Sequence, residues 1–234
     1  MRGSRFVCVN LAQRFFAWVS FSLLLTVQAS AADVTVTVGS DDPTVIGDVI
    51  VYAVPKPGSV AGAAKSTKAI VDQRDKEFVP LVSVVRVGTS VEFPNSDNIR
   101  HQVYSFSPAK VFNLKLYSGR PSSPVTFDRP GVVTLGCNIH DQMIAWVLIV
   151  DSPWYAKVGT NGSVTLKDLP AGDFTLHAWH PGINPATHMD AVQEPLHIES
   201  ATVSKSLRVK AISIAKIRQE MLASGEHLAP RGVK

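Results

Sequence analysis

Cysteine is scarce in this sequence of 234 residues: only Cys8 and Cys137 occur. The chain also lacks a glycine-rich phosphate loop, a paired-carboxylate motif and a Ser-His-Asp arrangement, which are common signatures of phosphate binding and hydrolysis. The sequence therefore shows none of the usual motifs of bond-making chemistry.

Residues 1–31 have the pattern of an export signal. They contain three arginines and no acidic residue, then the apolar run 15–27, then small residues typical of a cleavage site. We predict an exported, mature chain that begins near Ala32 and has lost Cys8. Cys137 is then the single cysteine in an oxidising compartment, where an exposed free thiol is a liability, so metal ligation is the simpler explanation.

Net positive charge is small once the export signal is set aside. The full chain has 23 Lys+Arg and 19 Asp+Glu, and three of the arginines lie in the signal, which leaves 20 basic against 19 acidic residues. No cluster of basic and aromatic residues remains, so we expect no nucleic-acid binding. The apolar run 144–150 is far too short to span a membrane and fits a buried strand.

Long segments with helical periodicity are also missing from the mature chain. Short valine-rich runs alternate instead with Gly, Pro, Asn and Asp clusters, which predicts an all-β fold. We expect a first β-sandwich domain over residues 32–150, and a long surface connection over 57–75. Its predicted strands are 34–38, 49–54, 82–87, 125–127 and 132–135.

A second, smaller domain is expected over residues 151–210. Asn161-Gly162 favours a tight hairpin turn, because this pair tolerates positive φ, and the runs 174–179 and 204–209 alternate like strands with one buried face. Residues 211–234 partly follow helical spacing. The prediction is a small antiparallel β-sandwich followed by a short C-terminal helix.

The loop from Cys137 to Met143 places a thiol, an imidazole and a thioether at three-residue intervals: Cys137, His140 and Met143. One thiolate, two imidazoles and a weak axial thioether favour copper that cycles between Cu(I) and Cu(II). His101 is placed to supply the second imidazole, because residues 88–95 read as a strand that ends in a polar loop before it. The sequence predicts a copper site formed by these four side chains.

The remaining histidines carry a weaker signal. His177 and His180 invite a second metal site, but residues three apart on a strand point to opposite faces. We therefore do not expect a site there. His188 and His197 are expected to be solvated surface residues.

Asn95, His101 and the Cys137–Met143 loop resemble the plastocyanin and amicyanin branch of the cupredoxins, in both the order His…Cys…His…Met and the Cys-x2-His-x2-Met spacing. The whole mature chain is similar to bacterial periplasmic plastocyanin-like proteins labelled methylamine utilization proteins. Their second half resembles a carboxypeptidase regulatory-like, or transthyretin-like, domain, here with Leu169-Pro170-Ala171-Gly172 and Trp179-His180-Pro181. The resemblance implies a cupredoxin Greek-key β-sandwich for the first domain and copper as the cofactor.

The resemblance also implies a role for each residue. Cys137 would be the equatorial thiolate, His101 and His140 the equatorial imidazoles, and Met143 the distant axial ligand. Asn95 would tie the histidine loop to the cysteine loop and so orient the ligands. The edge of His140 would be the port through which a redox protein partner, a cytochrome or a dehydrogenase, exchanges electrons.

Three positions depart from the family pattern. Arg100 precedes His101 and Asp141 follows His140, where the family commonly has proline, and Val133 stands where the family has an aromatic residue. Proline stiffens such a loop and keeps its rim apolar. The charges of Arg100 and Asp141 are expected to change the type of partner and the reduction potential.

Three classes of function remain open from the sequence. The first is a periplasmic electron carrier that is not an enzyme, and the second is a copper-binding homeostasis protein without a redox partner. The third is a hydrolase or a zinc protein built on Cys137 and His140, although this tight loop offers a nucleophile no third, orienting group. Electron exchange with a partner separates the first class from the second.

Overall fold

The computed structural model describes residues 31–57, 68–121, 123–199 and 202–224. The predicted export signal, with Cys8, lies outside these residues up to position 30, and so do residues 58–67 of the expected surface connection. The described remainder is not a surface loop: residues 68–70 and 72–74 form strands, and Val71 and Gln73 are buried. Within the described ranges, no helix is both long and apolar enough to cross a bilayer.

Over these described ranges the chain forms short strands, a 3-10 helix at Pro43–Asp48 and one α-helix. The strands of the N-terminal half are β1 (Ala31–Ser40), β2 (Ile50–Pro55), β3 (Lys68–Ile70), β4 (Asp72–Arg74), β5 (Glu77–Val79), β6 (Val82–Arg86), β7 (Thr89–Glu92), β8 (His101–Ser105) and β9 (Phe112–Tyr117). Those that follow are β10 (Val125–Phe127), β11 (Gly131–Gly136), β12 (Ile144–Val150), β13 (Tyr155–Lys157), β14 (Ser163–Pro170), β15 (Gly172–Trp179), β16 (Ala191–Ile198) and β17 (Val203–Val209). Helix α1 spans Ile214–Ser224. The predicted all-β fold class with a short C-terminal helix is confirmed.

The first sandwich, as we call strands β3 to β12, consists of two facing sheets with the strand orders β10-β7-β3 and β6-β12-β11-β8-β9. Its core is mainly valine and phenylalanine from both sheets, and Cys137 and Met143 belong to this core. The β4–β5 hairpin packs against the same core through Phe78. Valine-rich strands of this kind suit a pleated surface that is buried on one or both faces.

The second sandwich consists of the sheets β14-β1-β17 and β13-β2-β15-β16. Alternate residues of β1, Val34, Val36 and Val38, enter its core together with residues of β14, β15 and β17. Most of its pairs are antiparallel, as expected, but β1 and β17 are parallel.

Strands β1 and β2 do not pair as the sequence analysis expected. Both runs were assigned to the first domain, within 32–150, yet β1 pairs with β14 and β17, and β2 pairs with β13 and β15. The expectation is corrected: the N-terminal strands complete the second sandwich. A strand with one apolar face fits either core, so periodicity alone does not choose its partner.

The Asn161-Gly162 turn is present, but it does not make a hairpin. Gly162 has a φ of 75° and its N–H donates to the Gly159 carbonyl. The strands on its two sides, β13 and β14, belong to opposite sheets of the second sandwich. The turn therefore passes the chain from one sheet to the other.

A third core joins the two sandwiches. Strand β12 is buried along its whole length: Ala145, Val147 and Ile149 face the first core, whereas Ile144, Trp146, Leu148 and Val150 face this third core. From the second sandwich it receives Ile50 and Trp179, and from α1 it receives Ile214 and Ile217. The predicted buried strand 144–150 is confirmed, and it is buried because it is covered on both faces.

Candidate metal centre

His101 is the first residue of β8 and is completely buried. Strand β7 ends at Glu92, and the polar residues that follow lead the chain to His101, as the sequence predicted. His101 pairs with Tyr117 of β9, so its backbone is fixed in the five-stranded sheet.

The Cys137–Met143 loop joins β11 to β12 at one end of the same sheet. Gly136 and Ile144 are directly paired on the two strands, so the loop is closed at its base. The N–H of Met143 donates to the carbonyl of His140 at 2.9 Å. Cys137 and Met143 are buried, whereas His140 is half-buried. The loop thus directs both sulfur-bearing residues into the core and keeps His140 near the surface.

Ligand atoms of His101, Cys137 and His140 converge, all within 4.8 Å of one another. The Cys137 Sγ lies 3.9 Å from the His101 Nδ1, and the two imidazole rings have centroids 5.0 Å apart with an interplanar angle of 59°. In the described ranges this is the only such group of three or more His, Cys, Asp or Glu residues. It could hold a metal ion.

The Nδ1 atom of His140 is buried without a hydrogen-bond partner among the described residues. Buried polar atoms in native proteins are rarely left without a partner. The pKa of His140 is lowered, first by desolvation and then by repulsion from His101 and Lys76, against the opposing effect of Asp97. A lowered pKa favours the neutral imidazole, which is the form that binds metals.

The carboxylate of Asp97 contacts the other nitrogen of His101. The His101 Nε2 lies 2.7 Å from the Asp97 Oδ2, and the N–H groups of Asp75 and Lys76 donate to the same carboxylate at 2.7 and 2.9 Å. Desolvation raises the pKa of Asp97, but the hydrogen bonds from Lys76, His101 and Asp75 outweigh it and the net pKa is lowered. Asp97 is therefore an ionised acceptor beside a buried histidine.

Asp97 was not predicted from the sequence, since an acidic residue in a polar loop is unremarkable there. Metal-binding histidines generally donate their second ring N–H to a carboxylate or carbonyl. This tendency would have pointed to the acidic residue four positions before His101.

Asn95 is buried and makes three side-chain hydrogen bonds. Its Nδ2 donates to the carbonyls of Ile99 and Tyr117 at 2.8 and 2.9 Å, and its Oδ1 accepts from the N–H of Asp97 at 3.0 Å. Within the described residues these bonds tie the histidine loop to β9 rather than to the cysteine loop, which the resemblance implied. Its part in orienting the ligands stays a prediction.

Arg100 and Asp141, which depart from the family pattern, are both exposed, and Val133 is a buried core residue. Ile139, beside His140, is 46% exposed. The surface around His140 therefore combines apolar and charged side chains.

The other histidines occupy separate positions. His177 stacks on Tyr52 with ring centroids 4.6 Å apart, and the Nδ1 of buried His180 accepts the N–H of Gly182. His197 is exposed, as expected, but His188 is half-buried and packs its ring against Trp146. The expectation for His188 was wrong because its loop folds back onto the third core.

Neither a protein-family profile nor a curated protein matches the sequence. Among solved structures, the chain is similar to a Cu-containing nitrite reductase from Thermus scotoductus, at 24% identity and a TM-score of 0.33, covering 40% of this chain and 24% of that one. It is also similar to a purple cupredoxin from Nitrosopumilus maritimus, at 22% identity and a TM-score of 0.32, covering 35% and 99%. A pseudoazurin from Methylobacterium extorquens has 22% identity and a TM-score of 0.31, covering 36% and 76%. At these values the neighbours do not establish a family for the chain.

Proposed function

We propose that this protein is a copper-binding electron carrier in which His101, Cys137 and His140 would hold one copper ion and Met143 would be a fourth, weaker ligand. The observation that carries the proposal is the convergence of one sulfur and two imidazole nitrogens within 4.8 Å. A thiolate with two imidazoles is a donor set that suits copper and supports its one-electron redox chemistry.

The surroundings of the three donors fit a bound ion. The buried Nδ1 of His140 has no partner in the described part of the chain, and a metal bound there would satisfy it. Cys137 and His101 are buried next to an apolar core, which keeps water from the sulfur. All three donors are held directly by strands or by a loop closed between paired strands. Such a rigid frame limits rearrangement when the charge of the ion changes.

When bound, copper would accept one electron and release it again. His140 is the one of the three donors with an exposed edge, so we infer that electrons enter and leave through its imidazole. Ile139 supplies apolar surface beside it, and the exposed charges of Arg100 and Asp141 favour a partner with complementary charge.

The redox protein partner must be in the same compartment as this chain. The predicted export signal over residues 1–31, together with the resemblance to periplasmic plastocyanin-like proteins, favours the periplasm, where a cytochrome or a dehydrogenase is the expected class of partner. The resemblance of the second sandwich to a carboxypeptidase regulatory-like domain, and the link to methylamine utilization, stay predictions from the sequence.

A cysteine nucleophile is the competing chemistry, and the structure supplies the third group that the sequence lacked. Cys137, His101 and Asp97 lie in the order of a nucleophile, a base and an orienting acid. However, Cys137 is 2% exposed and His101 is fully buried. A substrate carbonyl therefore cannot reach this sulfur, whereas a single metal ion is small enough to bind between the buried side chains.

The test uses the mature chain from Ala32, loaded with Cu(II). We expect an intense visible band from thiolate-to-Cu(II) charge transfer and a matching paramagnetic-resonance signal. Cys137→Ser is the matched control, because it replaces the sulfur with an oxygen of similar size and should abolish the band. If Cys137→Ser keeps the band and binds copper as tightly as wild type, the assignment is wrong.

Electron transfer itself needs a second measurement. The rate of electron exchange with a soluble c-type cytochrome is compared with the rate at which a chelator removes the copper. A carrier exchanges electrons faster than it loses the ion. If the chelator removes copper faster than electrons are exchanged, the protein is a copper-binding homeostasis protein instead.

A further inference from the structure

The β4–β5 hairpin is docked on the loop that carries His101. Within this hairpin, Asp75 and Lys76 form a two-residue turn, because Arg74 and Glu77 are paired on either side. Both turn residues have positive φ, 54° and 58°. Hairpin turns of this kind favour the pairs Asn-Gly, Asp-Gly and Gly-Gly, so Asp75 suits its position, whereas Lys76 is held in a left-handed conformation that such a residue rarely adopts.

That turn points its two N–H groups at one acceptor. The N–H of Asp75 donates to the Oδ1 of Asp97 at 2.7 Å, and the N–H of Lys76 donates to Oδ2 at 2.9 Å. The Asp97 side chain is 14% exposed. The carboxylate is therefore fixed from one side by a hairpin that is distant from it in sequence.

Further contacts hold the hairpin to the same loop. The hydroxyl of Ser96 donates to the carboxylate of Asp72, and the side chain of Gln73 donates to the carbonyl of Pro94 at 3.1 Å. The N–H of Ser96 donates to the carbonyl of Gln73. These bonds hold the loop against the hairpin, so the docked hairpin fixes the position of Asp97.

On its other side the carboxylate meets His101. Its Oδ2 lies 2.7 Å from the His101 Nε2, while the His101 Nδ1 faces the Cys137 Sγ at 3.9 Å. An ionised carboxylate accepts, so Nε2 carries the ring proton. The lone pair of Nδ1 is then free toward Cys137 and His140.

We propose that Asp97 is a positioning residue for the metal centre: held by the Asp75-Lys76 turn, it fixes the tautomer and ring orientation of His101 and strengthens its donation to the metal. This inference rests on the proposed function, in which His101 is a ligand. A carboxylate that accepts the second N–H of a ligating histidine raises the basicity of the ring. The stronger donor stabilises the more highly charged, oxidised ion, so Asp97 lowers the reduction potential.

Asp97→Asn tests the inference with little change of shape. Three N–H donors meet two carboxylate oxygens in the wild type, whereas asparagine offers one oxygen and an amide that itself donates. Whichever way the amide turns, it faces a donor at the hairpin or at His101. We expect the Cu(II) affinity to fall about 10- to 100-fold and the reduction potential to rise.

A control variant separates this effect from a simple change of charge. Asp128→Asn also removes one negative charge, from an exposed carboxylate paired with Lys110. It lies beyond the far end of β11, about 20 Å from Cys137. This control should keep the affinity and the potential of the wild type.

A third readout needs no metal. In the metal-free wild type at alkaline pH, nitrogen NMR should show His101 with its proton on Nε2, and Asp97→Asn should give a mixture of tautomers. A wild-type proton on Nδ1 overturns the inference even if the variant fails to fold, and so does an Asp97→Asn variant with unchanged affinity, potential and tautomer. A wild type that binds no copper overturns the proposed function instead, and the tautomer then still decides whether Asp97 positions His101.

Discussion

Two roles suit Met143: that of a metal ligand and that of a packing residue in the core. It is buried in the same core as Cys137, and its N–H is bound to the carbonyl of His140. Burial alone would suit a packing residue just as well. Met143→Leu separates the two roles, because leucine fills a similar volume at a cost below about 1.5 kcal/mol.

We expect Met143→Leu to keep the copper and to raise its reduction potential, since an axial donor that stabilises Cu(II) is removed. A redox titration of the visible band measures the potential. Met189→Leu, at a residue that is 63% exposed, is the matched control and should change nothing. An unchanged potential in Met143→Leu would mean that the thioether only packs.

The candidate ligands could be predicted residue by residue because their signal is local. Cys137, His140 and Met143 share one short loop, and His101 begins a strand with a recognisable polar loop before it. Asp97 depends on a different kind of information. Its proposed role depends on a hairpin more than 20 positions earlier, whose N–H groups donate to its carboxylate, and no spacing in the sequence predicts that contact.

Among the elements, the positions of the strands were predicted better than which strands pair with each other. The runs in β1, β2, β6, β10, β11 and β12 all form strands, because alternation of apolar residues depends only on neighbours in the chain. Pairing is a tertiary property: β1 and β2 are valine-rich and equally suited to either sandwich. The three-residue strands β3, β4 and β5 were missed; β3 and β4 lie within the segment 57–75, which was expected to be a surface connection.

The turn after β15 carries a histidine that we expect to make the fold sensitive to acid. His180 is buried, its Nδ1 accepts the N–H of Gly182 at 3.0 Å, and its pKa is lowered to about 4, mainly by desolvation. Asp48 and Asp42 oppose this shift, whereas Lys157 adds to it. Protonation would both charge a buried ring and remove the acceptor.

The sign follows from the two pKa values. The unfolded chain takes up the proton near pH 6.5 and the folded chain only near pH 4, so stability is lost as pH falls through that window and levels off below it. The loss is about 3 kcal/mol. His180→Asn should flatten the pH dependence of the unfolding midpoint, because asparagine can accept the same N–H two residues on but does not titrate. A slope equal to that of the wild type would contradict this.

At the scale of the whole molecule, the two sandwiches share one buried layer. Trp146 of β12 and Trp179 of β15 are both fully buried there, and α1 covers part of it with Ile214 and Ile217. Arg218 of α1 pairs with Glu77 of β5 and lies 3.5 Å from the carbonyl of Ile144, the residue after Met143. The frame of the candidate metal centre is therefore supported by strands and a helix from outside the first sandwich.

This arrangement predicts how the chain behaves when it is divided. A fragment of residues 32–150 would leave β1 without β14 and β17, leave β2 without β13 and β15, and expose the Trp146 face of β12. Exposed apolar faces and unpaired strand edges promote loose packing and aggregation. Compared with the mature chain from Ala32, we expect the fragment to bind a hydrophobic dye strongly and to lack a sharp thermal transition. A fragment that unfolds cooperatively at the midpoint of the mature chain would show that the first sandwich is stable without the second.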